Sequence, residues 1–400
     1  MAITINATPK DFSPVYNKME YLITSNKTAE TNFSYIVDVY INGSGTKTWR
    51  GRLPKRPTDD KLLVDIHRVL EATLSSTVGD TTSAAGTNEA ANHALTYIVK
   101  FGEEYGTTIT QYPNLTVDSS RAAINASVEK QEFIDWDITD YELDGTTKEF
   151  LTNSPDNHTV SINGHGWLYF KEETALTVIE VETFDSTGAN IASFSINPTA
   201  TSGTIQYVAA SPASLNKINN ANLIAGAQPI ITSSVASYTI EAYETLGATS
   251  ETRTYQIKEP CKYSANTLSF LNKLGGFDDF TFYLGDSSTH NVERKDMKVN
   301  VDPVSGTSIV YSMSERDKQT YYTKQSETIK LYSDWISEEE DAWLLELIES
   351  PEIYLQNGDD LIAVAKIKAT SHTKRKVVRD KLFKLEVEIE LGYDNYRQRG

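Results

Sequence analysis

Apolar and polar residues alternate with a period of two along most of this chain, which predicts strands with one buried face. Phe33, Tyr35, Val37, Val39 and Ile41 alternate strictly; Asn42-Gly43 then marks a turn, and Thr46 to Leu53 runs back as the hairpin partner. Ala94 to Tyr105 predicts another strand. Between residues 119 and 258 the pattern predicts strands at 133–138, 159–162, 166–170, 175–184, 190–196, 204–209, 235–243 and 252–258, with turn signals between them. Many short strands at such spacing predict a β-sandwich of immunoglobulin or fibronectin type. The stretch Cys261 to Leu284 predicts strand, turn, strand: Leu268, Phe270 and Leu271 form an apolar run, and Phe280, Phe282 and Leu284 alternate with Thr281 and Tyr283. Gly275 and Gly276 are the structural turn, since glycine takes positive φ without a Cβ penalty. Asp278 and Asp279, at its exit, predict a solvated turn.

Helical spacing is confined to two short stretches. Ile66, Val69, Leu70 and Leu74 follow Asp65, which is placed to cap a helix start. Ser337 with Glu340 forms a capping box, and Ala342, Leu345, Leu347 and Ile348 give that second helix its apolar face before Ser350-Pro351 stops it. The fold class expected is therefore mostly β and multidomain, with a small α+β C-terminal unit. The expected divisions are an N-terminal arm at 1–18, a β-rich domain at 19–118, a sandwich at 119–258 and an α+β domain at 259–400. Pro9 and Pro14 interrupt the arm. Residues 78–92 and 211–227 read as long connections, and the polar segment 291–322 as an extended loop reaching a neighbour.

Composition narrows the function classes. The 400 residues hold 37 Lys and Arg against 55 Asp and Glu, a net charge of −18. That argues against tight duplex DNA binding, which needs clustered cations. The N-terminal residues MAITINATPKDF have neither a basic n-region nor an apolar h-region, so no secretory signal is expected and synthesis in a cytoplasm is. No run reaches the ~18 apolar residues of a membrane helix, so no membrane partner is expected. The single cysteine, Cys261, leaves no internal disulfide and no thiolate metal cluster.

Candidate chemistry is sparse. Asp140, Glu142, Asp144 and Gly145 have the spacing of the first half of a calcium loop, but position twelve is Leu151 where a bidentate Glu is required. His67, His93, His158, His165, His290 and His372 fall into no metal-binding spacing and are expected in solvated loops. No phosphate-binding loop or nucleophile elbow is present. The reading is of no catalytic, cofactor or metal residue, hence no cofactor and no enzyme. One basic run, Lys366, Lys368, Lys374, Arg375, Lys376, Arg379 and Lys381, stands out in the acidic chain. The run reads either as a solvated hairpin or, in a homo-oligomer, as an interface in which Lys374, Arg375, Lys376 and Arg379 are the candidate residues, complementary to acidic segments such as 338–341 of a neighbouring copy.

The segments FLNKLGGFDDFTF, followed by Arg294-Lys295, and LYSDWISEEEDAWLLELIESPEIYLQNGDDLIAVAKIKA, ending in KLFKLEVEIELGYDNYRQRG, resemble tail proteins of crAss-like podoviruses and related Bacteroidetes phages. FSYIVDVYING and LLVDIHRVLEATL are similar to the same group more loosely. The resemblance implies a structural subunit of a virion tail, forming a ring around the DNA channel. Its implied partners are copies of itself, as a six- or twelve-fold cyclic oligomer, and other ring, hub or portal-proximal proteins. The alternative is a carbohydrate-binding or adhesin protein, for which Trp136, Trp167 and Tyr207 would serve as surface stacking platforms. A glycan-cleaving enzyme is the third reading.

Overall fold

A computed structural model describes residues 3–107, 110–111, 115–143, 146–172, 176–199, 205–244, 247–260, 262–299, 304–310, 313–314, 316–368 and 383–397. The chain is mostly β and forms two compact units. The first comprises Met1–Lys258 and Leu271–Asp279; the second comprises Glu259–Phe270 and Phe280–Gly400.

The first unit holds two hydrophobic cores. In one, a three-stranded sheet (Ile3–Ala7, Glu20–Ser25, Leu62–Asp65) faces a larger sheet whose path runs through Phe12–Pro14, Arg121–Ile124, Ala94–Tyr105, Ser34–Ile41 and Trp49–Leu53. Tyr21, Ile23, Leu62 and Val64 from the first sheet meet Tyr35, Val37, Tyr97 and Phe101 from the second. Tyr35, Val37 and Val39 pair with Leu53, Gly51 and Trp49, and Asn42 and Gly43 supply positive φ at the turn. Residues 1–18, expected as an irregular arm, contribute two edge strands instead. Pro14 is tolerated because Phe12–Pro14 lies at a sheet edge, parallel to Ala122–Ile124.

In the other core, a four-stranded sheet (Glu142–Leu143, Trp167–Glu172, Ile205–Ala209, Thr87–Glu89) packs on a seven-stranded one. The path of the latter runs through His158–Val160, Arg253–Ile257, Ser237–Glu244, Val178–Phe184, Asn190–Ile196 and Leu223–Ala225. Phe170 and Val208 of one sheet and Val181, Ile196, Tyr238 and Ile240 of the other share one core, so this region is a β-sandwich. Two expectations are corrected. Residues 133–138 are not a strand, since Lys130–Asp135 is a short helix with a Glu129–Glu132 capping box. Residues 78–92 are not an exposed loop: Thr87–Glu89 is an edge strand on Ile205–Ala209, and Thr81 and Ala90 are buried.

In the second unit, an eight-stranded sheet runs from Phe277–Phe282 through Asn266–Leu271, Ile353–Asn357, Asp360–Ile367, Glu386–Leu391 and Lys318–Tyr332 to Asp286–Lys298. Two short helices, Glu338–Trp343 and Leu345–Glu349, set Trp343, Leu344 and Leu347 against Leu268, Phe270 and Phe280. Ser337 and Glu340 satisfy each other's backbone N–H groups at the helix start. The segment 291–322, expected as a loop, is largely strand. Asp286–Lys298 and Lys318–Tyr332 form one long antiparallel hairpin, with a register shift between Lys295 and Asp296. Backbone pairing holds these polar residues in line where burial does not.

Candidate functional site

The turn Leu271–Asp279 carries three buried polar residues, Asn272, Asp278 and Asp279. Gly275 has φ +91°, and a Cβ there would come 2.7 Å from the Asn125 carbonyl oxygen. Gly276 has an ordinary φ, but a Cβ on it would meet the Leu151 carbonyl oxygen at 2.7 Å. The turn is fastened by polar contacts on every side. The His93 ring bonds the Gly275 carbonyl at 2.9 Å, the Asn272 amide donates to the Leu151 carbonyl at 2.9 Å, and Ser127 N–H donates to the Lys273 carbonyl at 2.8 Å.

Asp278 and Asp279 are not solvated. They are 7 % and 8 % exposed, because the strand that carries them is buried on both faces. Ser211 Oγ donates to Asp279 Oδ2 at 3.2 Å. His158 Nε2 donates to the Asp279 backbone carbonyl at 3.0 Å. Gly166 makes room for the carboxyl: a Cβ at 166 would collide with Asp279 Oδ1 and Ser211 Oγ. Burial, and secondarily the charge of Asp278, push the Asp279 carboxyl up to about 7. Burial, helped by the Arg253 charge, lowers the His158 imidazole to about 4, so it is neutral near pH 7. Arg253 itself is held by Ser154 and the Pro155 carbonyl.

This constellation contains Ser, His and Asp without a relay geometry. Ser211 bonds the carboxylate directly, and His158 reaches a backbone carbonyl instead of a hydroxyl. A second pair, His165 Nδ1 and Ser214 Oγ at 3.0 Å, is also buried, and Ser214 already accepts from Gly166 N–H at 3.3 Å. Those bonds tie the turn of Pro212–Leu215 to the strand beginning at Trp167. The arrangement can hold a neutral carboxylic acid in a core; it offers no open face to a substrate.

His93, His158 and His165 are therefore core residues, which corrects the expectation of solvated loops; His290 is exposed. Trp136, Trp167 and Tyr207 are 6 %, 4 % and 5 % exposed, so none is a surface stacking platform. Trp136 stacks on Tyr141 at 5.3 Å beside an open pocket of about 230 Å³ lined by Glu132, Asp135, Asp137 and Asp140. Asp144 and Gly145 of the half calcium loop lie outside the described residues. Among the described residues no group of three or more acidic, His or Cys side chains is placed to hold a metal. Lys374, Arg375, Lys376 and Arg379, the candidate interface, and Cys261 also lie outside them. Lys366 and Lys368, from the start of that basic run, pair with Glu390 and Glu388.

The feature that periodicity missed is the long hairpin. Every residue of Asp286–Lys298 is exposed, and this strand forms the end of its sheet. Thr328–Tyr332 pairs on its other side with Glu386–Glu390, and Lys324 and Gln325 pair with Tyr396 and Asn395. Further out, Lys318–Thr323 is described with Arg294–Lys298 as its strand partner. Only its second strand carried a sequence signal, the strand pattern at 326–333; Gly306 takes φ +62° in the turn between Val304–Ser305 and Ser308–Ile309. No described helix is long and apolar enough to cross a membrane.

No protein-family model matches the chain, and no curated protein does. Among solved structures it is similar to the one titled "Crystal structure of Dpr2 Ig1-Ig2 in complex with DIP-Theta Ig1-Ig3", at 6 % identity over 98 % of this chain and 90 % of that one. The TM-score of 0.16 is too low to carry an argument about fold or function.

Proposed function

We propose that this chain is a structural subunit of a phage virion tail and assembles into a closed ring around the DNA channel. The observation that carries the reading is the long hairpin. The 13-residue strand is exposed throughout and most of the 15-residue strand is only half-buried, an arrangement that serves contact with another chain better than it serves a single folded subunit. The motif resemblance supplies the tail context. The net charge of −18 supports passage of DNA without retention, because an acidic wall repels phosphate. The buried carboxyl and imidazole groups fit the same reading as hydrogen-bonded core residues.

Native mass spectrometry and electron microscopy of the purified chain test this. The expected result is a closed cyclic oligomer that leaves duplex DNA unbound even at low salt. A monomer at every concentration, or tight binding of duplex DNA, would overturn it.

A further inference from the structure

We propose that the hairpin of Asp286–Lys298 and Lys318–Tyr332 is the strap by which one copy of this chain holds the next, its open edge and apolar distal end being covered by a second copy. This rests on the ring-subunit reading and adds the site and the partner.

Three observations converge on it. The first is the open edge. Among the described residues Asp286–Lys298 ends its sheet, with a row of backbone donors and acceptors on its outer side. Edges are usually blunted by charge; here residues 293–298, ERKDMK, carry five charged side chains, whereas 286–292, DSSTHNV, carry only Asp286 and the imidazole of His290, so the stretch of edge least guarded by charge is 286–292.

The second is exposed apolar surface. Val292, Met297, Val304, Ile309, Val310, Met313 and Tyr321 are all exposed, from 41 % for Tyr321 to fully for Met313. A two-stranded ribbon is marginal in water unless a third strand or a packed face supports it. Lys318–Tyr322 and Lys295–Lys298 have that form among the described residues.

The third is charge, and it bears on where two copies can meet. Residues 286–332 contain 7 Lys and Arg and 7 Asp and Glu, so the strap is neutral. The rest of the chain then holds 37 − 7 = 30 cations against 55 − 7 = 48 anions and carries the entire −18. Two copies that approach through their acidic surfaces repel each other. A contact made by the strap brings a neutral, partly apolar element onto an acidic neighbour and avoids the repulsion between like-charged bodies.

The test measures oligomer mass by light scattering, over a range of protein and salt concentrations, for the full chain and two triple variants. Val304→Ser with Ile309→Ser and Met313→Ser removes apolar surface only. Val304→Glu with Ile309→Glu and Met313→Glu adds repulsion. All three positions are exposed, and circular dichroism checks that each variant folds. We expect the serine variant to weaken assembly at least about 30-fold. The glutamate variant should weaken it further and recover in part at high salt. Hydrogen exchange in 286–298 of the unaltered chain should slow as concentration rises and assembly proceeds. An unaltered chain that assembles while both variants assemble equally well overturns the strap and leaves the ring reading standing, as does unchanged exchange during assembly. A chain that stays monomeric throughout, or assembles only with a different protein, overturns both.

Discussion

The hairpin of Asn266–Leu271 and Phe277–Phe282 is buried on nearly every residue. The next hairpin, Asp286–Lys298 with Lys318–Tyr332, begins after only Tyr283, Leu284 and Gly285 and is exposed or half-exposed along almost its whole length. Both are antiparallel and both turn at a glycine with positive φ. They differ in what packs on their faces. In the first, phenylalanines fill a core on one side, and the opposite face, with Asp279 and Thr281, is buried as well. In the second, Thr, Ser, Lys and Glu dominate, and cross-strand bonds alone hold most of the register. A strand's polar side chains thus take their chemistry from the second layer: Asp279 keeps its proton up to about pH 7, while Asp296 is a surface anion held below its usual range by the Thr320 hydroxyl.

The largest effect should come from steric insertion at the buried turn. Gly275→Val and Gly276→Val each push a side chain into a carbonyl oxygen and should cost about 2–4 kcal/mol in denaturant unfolding. Gly306→Ala, where a Cβ meets nothing within 4 Å, carries only the strain of its positive φ and should cost about 1 kcal/mol or less. Equal effects at the two turns would erase the contrast between the hairpins.

The pH dependence is next in size. Asp279 keeps its proton to about 7 in the folded chain but loses it near its ordinary 3.8 when unfolded. The native state therefore binds more protons across that window, and stability falls as pH rises through it. His158 has the opposite sign. Its folded value of about 4 lies below its ordinary 6.5, so stability falls as pH drops through that window. The two contributions offset each other between about pH 4 and 6.5. Asp279→Asn should stabilise the protein at pH 8 by on the order of 2 kcal/mol and leave a stability that rises from pH 4 to 6.5. His158→Gln should leave one that falls over that range. Parallel stability curves for the two variants would contradict the assigned environments.

Smaller still is local opening. Amides of residues 294–298 and 318–323 should exchange by local fluctuation at low protein concentration, whereas those of 266–271 and 277–282 should exchange near the global limit. Smallest is surface charge. Lys330, paired with Glu386, and Lys324, 2.7 Å from Asp394, are ion pairs in water, so alanine at either should leave the melting temperature within measurement scatter.

Much of the strand content was legible because alternation survives wherever one face is buried: Ser34–Ile41, Ala94–Tyr105 and Val178–Phe184 follow their apolar periods closely. The capping box at Ser337 and Glu340 was legible because both partners lie within one helical turn. The candidate site was not. Periodicity marked Phe280 and Phe282 as buried but could not reveal the second layer over Asp279. Gly166, Ser211 and His158 stand 113, 68 and 121 residues away from it in sequence. Nor could it foresee the strap, whose strands pair through backbone groups that every residue possesses.

What the sequence by itself determined is the β class, the main hairpin turns, the two short helical segments and the acidic balance, since each depends on neighbours a few residues apart or on a simple sum. Tertiary structure decided which polar groups lost their water. It buried His93, His158, His165, Asp278 and Asp279, buried the aromatics read as surface platforms, and drew a polar segment into a long exposed hairpin. Desolvation is set by every element that packs against a side chain, and those elements are assembled from distant parts of the chain.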